Sequence, residues 1–136
     1  KADRDIARDC LDKVKMLPFA KRQISNLSGG QQQRVFLARA LAQDGRVILL
    51  DEPFSGVDPV AVEELQSEIR RLRHNQGIAM LVTDHNVQRT LEIVDRGYII
   101  SDGKVFFDGT PKQIINDEQV RKNYLGSTFK GDEFDH

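Results

Sequence analysis

The chain contains 136 residues, of which 39% are hydrophobic and 30% charged, and its formal net charge at pH 7 is −1. A chain of this length supports one compact core, and its near-neutral charge argues against the strongly basic surface of a nucleic-acid-binding domain. The single cysteine, Cys10, excludes an internal disulfide and a multi-cysteine metal site, and it favours a reducing compartment.

The first predicted element is an amphipathic helix over residues 2–16. Its apolar residues recur at helical spacing and precede Pro18; they are Ile6, Cys10, Leu11, Val14 and Leu17. Nothing ahead of this helix supplies a strand or a cap. We therefore expect the sequence to be the later part of a longer domain.

A serine and two glycines introduce the second helix, which is predicted from about Gly29 to Gln43 with Ser28 as its N-cap and Gly45 as its stop. The exposed amides and positive dipole end of such a helix favour an anion, and residues without Cβ let a phosphate approach the backbone. Ser28 adds a hydroxyl. A plain flexible turn into a helix has the same sequence, so both interpretations stay open.

The run from Val47 to Leu50 predicts a strand that is buried on both faces, as parallel sheets require. Asp51 at its carboxyl end is placed to hold Mg²⁺ through water, because this ion prefers few carboxylates and keeps part of its hydration shell. Glu52 could then orient an attacking water and accept its proton. The alternative is that both acids merely end the strand and face solvent.

A further helix and a second buried strand follow. Asp58 and Pro59 provide an N-cap and a first-turn proline for a helix that ends near Gly77, and residues 78–83 form the strand. His85 comes directly after it, at the end of the sheet where ligands gather in open α/β folds, and its imidazole could contact a terminal phosphate. The alternative is a loop histidine bonded to backbone.

Four elements are predicted in the last third of the chain, each from a local spacing or turn signal. They are a helix marked by Val87, Leu91 and Val94, a hairpin of residues 97–101 and 104–107 about Asp102-Gly103, a helix opened by the capping box Thr110 to Gln113, and a helix holding Val120 and Tyr124. The last ten residues or so are polar, and we expect them to be frayed.

The chain resembles the C-terminal part of an ATP-binding-cassette (ABC) nucleotide-binding domain. Leu27 to Gln31 is similar to the signature motif of that family, Val47 to Asp51 to its Walker B strand, and Ser55 to Asp58 to its D-loop. Glu52 takes the place of the catalytic glutamate, and His85 that of the switch histidine. These motifs cover nearly all of the chain in the family's order. The Walker A loop, the Q-loop and the adenine-stacking aromatic have no counterpart in the sequence.

The resemblance implies an α/β fold, namely a partial P-loop NTPase (ABC ATPase) fold with helices flanking parallel strands. Residues 1–44 would hold the end of the helical subdomain and the signature, residues 45–110 part of the catalytic core, and residues 111–136 C-terminal helices and a tail. Residues 1–136 together would form the C-terminal portion of one ABC ATPase domain.

The resemblance also implies ATP and Mg²⁺ as ligands, with Asp51 on the metal and Glu52 and His85 in catalysis. A second ATPase domain would pair head to tail with this one as a homodimer. The residues that would contact a nucleotide held mainly by the partner are Ser28, Gly29, Gly30 and Gln31. Asp58 is a further residue expected to bind nucleotide. Because no Gly-x-x-x-x-Gly-Lys-Ser/Thr loop occurs in the sequence, we expect the 136-residue chain alone to be inactive.

Membrane contact is expected through partners. No apolar run reaches the roughly 20 residues that span a bilayer, and the N-terminus carries no signal-peptide pattern. The resemblance implies integral membrane transporter subunits as further partners, and nucleic acid is not expected. The chain would lie in the cytoplasm, peripherally on the cytoplasmic face of the inner membrane.

The finer resemblance is divided along the chain. Residues 31–43 are most similar to ATPases of manganese and zinc importers, whereas residues 83–87 and 124–126 are closer to the lipopolysaccharide-export ATPase and its relatives among branched-chain amino acid importers. The Thr-Asp-His-Asn segment is the more distinctive signal and favours lipopolysaccharide export over metal-ion or branched-chain amino acid import. Two other classes stay open: an ABC-type ATPase of DNA repair or chromosome organisation, which the compact motif spacing disfavours, and a non-enzymatic binding or interaction fragment.

Overall fold

The computed structural model describes residues 2–126, which divide into two units between Thr83 and Asp84. The first unit contains α1 (Ala2–Lys13), α2 (Gly29–Leu41), β1 (Val47–Asp51), α3 (Pro59–Gln76) and β2 (Ala79–Thr83). The second contains α4 (Val87–Leu91), β3 (Gly97–Ser101), β4 (Lys104–Gly109), α5 (Pro111–Asn116) and α6 (Glu118–Val120), which continues into a π-helical turn at Arg121–Leu125. The predicted α/β class is confirmed, and the predicted frayed tail lies outside the described residues.

The first helix ends three residues before its predicted boundary. Lys15 adopts a left-handed backbone with φ of 57°. Its N–H donates to the carbonyl of Asp12 at 2.9 Å, and that of Met16 donates to the carbonyl of Leu11 at 2.7 Å. This is the Schellman pattern that ends helices, with the apolar residue after the cap buried. Met16 is fully buried, so packing of this side chain, and not Pro18, sets the end of α1.

Helices α2 and α3 follow their sequence signals closely. Asp58 caps α3, and Gly77 ends it with φ of 61°, as predicted. The end of α2 comes at Leu41, two residues early, because Asp44 rather than Gly45 takes the left-handed conformation, with φ of 53°. The apolar faces of the three long helices supply the core of this unit, which includes Cys10, Val14, Leu37, Leu41, Val62, Leu65, Ile69 and Leu72.

The two strands of the first unit pair in parallel, in the register from Val47↔Ala79 to Asp51↔Thr83. The prediction that both strands are buried on both faces is wrong for this chain. Ile48 is buried, but Val47, Leu49 and Leu81 are 66%, 63% and 56% exposed. Alternate residues of a strand share a face, so these three side chains form one exposed apolar face. Within residues 2–126 no third strand pairs with β1 or β2.

A buried carboxylate links the end of α1 to α3. The side chain of Glu68 is 2% exposed, and its Oε1 lies 2.9 Å from Nζ of Lys15. Its Oε2 accepts hydrogen bonds from Arg71 Nε at 2.9 Å and Nη2 at 2.7 Å. A buried charge is tolerated when both of its oxygens are paired in this way, because the pairing offsets the cost of desolvation.

We expect Glu68→Gln to lower the free energy of unfolding of the complete protein by about 1–3 kcal/mol, since an amide cannot accept from both cations in place of a carboxylate. Lys15 and Arg71 are partly exposed and can regain water, which keeps the loss moderate. Urea unfolding measures it. Glu64→Gln is the matched control, because Glu64 pairs with Arg34 while 52% exposed and should cost less than about 1 kcal/mol. Equal losses would contradict a special role for burial.

The second unit is built on an antiparallel hairpin packed against short helices. The hairpin turns at Asp102-Gly103, as predicted, and both residues have positive φ, 51° and 72°, as in a type I′ turn. Strand β4 extends to Gly109, two residues further than predicted, and α4 ends at Leu91 instead of reaching Val94. The capping box of α5 is present as predicted. The core of the unit consists of Leu91, Ile114, Ile115 and Val120.

Candidate functional site

Ser28 begins α2 through a capping box. The N–H of Gln31 donates to Ser28 Oγ at 3.3 Å, and the N–H of Ser28 donates to Gln31 Oε1 at 3.1 Å. In any α-helix the first amides have no acceptor within the helix, so the amides of Gly29 and Gly30 and the positive end of the dipole are what α2 offers to an anion. This geometry fits the predicted phosphate contact, which stays a prediction.

Packing within the chain is a second reason for glycine at positions 29 and 30. A Cβ added to Gly30 would lie 2.4 Å from Cβ of Ala61 on α3, and one added to Gly29 would lie 3.2 Å from the carbonyl oxygen of Gly56. Gly30 is buried, whereas Gly29 is exposed. The first turn of α2 therefore fits against the segment that begins α3, which brings together the two segments that resemble the signature motif and the D-loop.

The segment from Glu52 to Asp58 connects β1 to α3 in two turns. The N–H of Ser55 donates to the carbonyl of Glu52 at 3.1 Å, and Gly56 has φ of 66°. Asp58 then caps α3, with Oδ1 accepting from the N–H of Ala61 at 3.0 Å. One oxygen of the predicted nucleotide-binding residue Asp58 is thus used to begin a helix, and its role toward a nucleotide stays a prediction.

The carboxyl ends of β1 and β2 bring Asp51, Glu52 and Thr83 together. Thr83 Oγ1 donates to Asp51 Oδ1 at 2.5 Å. The N–H of Glu52 donates to the carbonyl oxygen of Thr83 at 2.6 Å, and Glu52 has φ of 46°. A left-handed backbone costs a non-glycine residue roughly 1–2 kcal/mol, and strain of this kind is concentrated at functional sites.

The arrangement fits a magnesium ion that takes few ligands from the protein. Among the described residues, no group of three or more His, Cys, Asp or Glu side chains could hold a metal ion by itself. Magnesium commonly takes one or two carboxylates and completes its coordination with water and substrate phosphates. Asp51, exposed at the strand end, suits that role, although its ligation of a metal stays a prediction.

His85 lies in the second unit, on a loop held by a buried carboxylate. Its side chain is 72% exposed, and its Nδ1 lies 3.8 Å from Oδ1 of Asp84, whose side chain is 1% exposed. The same Asp84 oxygen accepts from the N–H of Asn86 at 2.8 Å, and Asn86 caps α4 through the N–H of Arg89. The imidazole can therefore meet a ligand from solvent while Asp84 fixes the loop beneath it.

Sequence reasoning gave no site role to Thr83 or Asp84. Thr83 is the last residue of β2 and Asp84 follows it, so both were visible as polar residues at the end of a predicted strand. The rule that ligands gather at the carboxyl ends of parallel strands would have selected them. The sequence does not reveal the strand register. The pairing of Asp51 with Thr83 in that register is what brings the Thr83 hydroxyl to the Asp51 carboxylate.

Comparisons with known proteins agree with the resemblance. A family model described as ABC transporter matches residues 1–55, and one described as branched-chain amino acid ATP-binding cassette transporter matches residues 104–130. The lipopolysaccharide export system ATP-binding protein LptB of Haemophilus influenzae is 53% identical over 104 residues, which is 76% of this chain and 43% of that protein.

Solved structures give the same result. The ADP conformation of MJ1267, an ATP-binding cassette of an ABC transporter, superimposes with a TM-score of 0.84 at 27% identity and covers 93% of this chain and 51% of its own. The dimeric post-hydrolysis state of the cassette MJ0796, bound to ADP and Pi, gives a TM-score of 0.67 at 31% identity over 79% of this chain and 47% of its own. The chain thus spans about half the length of these relatives.

The parallel strand pair and its flanking helices define the class, which is the P-loop NTPase fold of ATP-binding cassettes. Within that class, the chain is part of an ABC transporter ATP-binding domain. In residues 2–126, none of the helices combines the length and apolarity needed to cross a membrane.

Proposed function

We propose that this chain is part of the ATP-binding subunit of an ABC transporter that hydrolyses ATP and serves lipopolysaccharide export. The observation that carries the proposal is the 53% identity with LptB over 104 residues. The chemistry of the site supports the ATPase part separately, because a carboxylate pair ends a strand beside a hydroxyl donor.

The roles proposed for the catalytic residues of the first unit follow from its geometry. Mg²⁺·ATP, when bound, supplies the reactive phosphoanhydride and neutralises its charge. Asp51 would hold the ion at the end of β1. Glu52, turned by its left-handed backbone, orients a water molecule and accepts its proton, a role that typically contributes 10²- to 10⁴-fold in rate. The role proposed for His85, in the second unit, is to contact the terminal phosphate of a bound nucleotide.

The remaining predicted residues belong to a second nucleotide site, which is formed with another ATPase domain. The hydroxyl of Ser28, the first amides of α2, Gln31 and Asp58 contact the nucleotide held mainly by that domain. The proposal is supported by the positive end of α2 and by the dimeric state of the relative MJ0796 with ADP and Pi. Integral membrane subunits at the cytoplasmic face of the inner membrane would receive the motion of the dimer.

Branched-chain amino acid import is the second candidate, favoured by the family model that matches residues 104–130. The two candidates share the ATPase chemistry and differ in the membrane partner. Sequence features of the catalytic site therefore do not distinguish them, and a test in cells does.

The test uses a complete protein that contains this sequence, expressed in a Gram-negative strain depleted of its lipopolysaccharide-export ATPase. Restored growth, lost again with Glu52→Gln, is the expected result. A parallel strain lacking the ATPase of its branched-chain amino acid importer provides the comparison. Rescue of that strain alone would show that the protein serves branched-chain amino acid import and not lipopolysaccharide export. Absence of ATP hydrolysis by the purified complete protein would overturn the ATPase assignment.

A further inference from the structure

Thr83 forms hydrogen bonds to both Asp51 and Glu52. Its side chain donates to the Asp51 carboxylate at 2.5 Å. Its main-chain carbonyl accepts from the N–H of Glu52 at 2.6 Å. The two bonds use different groups of Thr83, so a substitution of the side chain affects the first bond without removing the second.

The hydroxyl has a specific effect on an exposed carboxylate. The terminal torsion of an aspartate is broad, so a carboxylate at a strand end can turn freely unless one oxygen is held. A threonine is stiff at χ1 because it branches at Cβ, and its place opposite Asp51 is fixed by the parallel register. Bonding at Oδ1 therefore holds the plane of the carboxylate and determines the direction of Oδ2.

The main-chain bond has a different effect. Glu52 follows the strand directly but has φ of 46°, which a glutamate adopts at a cost of roughly 1–2 kcal/mol. A strained conformation persists only where surrounding contacts fix it. The carbonyl of Thr83 supplies such a contact from the neighbouring strand and so helps to hold the turn that directs Glu52 away from the line of β1.

We propose that Thr83 is a positioning residue, whose hydroxyl orients Asp51 for a divalent metal and whose carbonyl fixes the turn at Glu52. The inference rests on the proposed ATPase function for its effect on turnover, but not for its effect on metal binding. It adds a residue to the site that acts through the two carboxylate-bearing residues without touching the nucleotide itself.

The first test measures metal binding and requires no hydrolysis. A complete protein that contains this sequence is titrated with Mn²⁺ in the presence of ADP, and electron paramagnetic resonance counts the free ion. Thr83→Val, which keeps the β-branched shape without the hydroxyl, should weaken Mn²⁺ binding about 10-fold, in line with one hydrogen bond to a charged group. Thr83→Ser, which keeps the hydroxyl, should recover affinity to within about 2-fold.

The second test separates binding from chemistry. With ATP, Thr83→Val should require about 10-fold more Mg²⁺ for half-maximal turnover, and Thr83→Ser should not. Thr90→Val is the matched control, because the Thr90 hydroxyl donates to the carbonyl of Asn86 at 2.9 Å and has no observed contact with Asp51. It should leave the Mg²⁺ requirement unchanged.

The main-chain bond provides the structural readout. In hydrogen-exchange measurements, the Glu52 amide should stay protected in Thr83→Val, because its acceptor is a backbone carbonyl. Unchanged Mn²⁺ affinity in Thr83→Val, equal loss in Thr83→Ser, or lost protection of the Glu52 amide would each overturn the assignment to the hydroxyl. A protein that shows the Mn²⁺ effect but neither hydrolyses ATP nor rescues growth would keep the inference and refute the proposed function.

Discussion

Glu52→Gln should slow ATP hydrolysis by the complete protein at least about 100-fold while leaving ATP-dependent dimerisation intact. The amide keeps the size of the side chain but cannot accept a proton from water, and a general base contributes about 10²- to 10⁴-fold. The N–H of residue 52, which bonds to the carbonyl of Thr83, is unaffected by the change. The loss should therefore fall on the chemical step and not on the local fold.

Two measurements check this expectation. Phosphate release at saturating Mg²⁺·ATP gives the rate, and size-exclusion chromatography with light scattering gives the fraction of dimer with and without ATP. Glu63→Gln, a substitution at an exposed position of α3, is the matched control and should behave as wild type. Turnover of Glu52→Gln equal to that of wild type would refute the role proposed for Glu52, and dimers that form equally without ATP would refute nucleotide-driven pairing.

Gly30→Ala should destabilise the complete protein by about 1–3 kcal/mol, the usual cost of forcing an extra methyl group into a packed interface. In an open helix the same substitution would be favourable by about 1 kcal/mol, because alanine is the better helix former. The sign reverses here because the new Cβ would lie 2.4 Å from Cβ of Ala61. Thermal or urea unfolding measures the change.

A second substitution separates packing from ligand contact at Gly30. Ala61→Gly removes the clashing methyl group, after which the new Cβ would meet Cα of residue 61 and Cγ1 of Val57 at 3.5 Å, an ordinary contact. The double variant should regain most of the lost stability. If hydrolysis returns with stability, Gly30 serves packing; if hydrolysis stays low in the stable double variant, the space beside Gly30 is also needed by the nucleotide. Failure to regain stability would contradict the packing account.

The sequence predicted best those features that depend on a few adjacent residues. The N-caps at Ser28 and Asp58, the end of α3 at Gly77, the Asp102-Gly103 turn and the capping box at Thr110 are local, and all are present. The ends of α1 and α2 were predicted two or three residues late, because Lys15 and Asp44 adopt a left-handed backbone conformation that could not be predicted from their residue types. The packing of Met16, a tertiary effect, helps to decide the first.

The candidate site was predicted in part for the same reason. The acids at Asp51 and Glu52 were recognisable from a strand running into two carboxylates, and the resemblance supplied roles for Ser28 and His85. The hydrogen bond from Thr83 to Asp51 could not be predicted, because it joins residues 32 positions apart and depends on strand register. The prediction of burial was wrong for Val47 and Leu49. A run of apolar residues shows that a strand is suited to burial on both faces, but it does not show whether this chain provides the residues that cover both faces.

The exposed face of β1 and β2 determines how the 136-residue chain behaves as a sample. Leu49 and Leu81 are opposite each other in the register, and apolar strand surfaces of this kind promote aggregation. Concentrated solutions of the chain should scatter light through self-association, and Leu49→Lys with Leu81→Lys should clear them. Aggregation would then limit what an ATPase assay of the unmodified chain can detect, so the lysine variant is the better preparation for testing whether the chain alone is inactive.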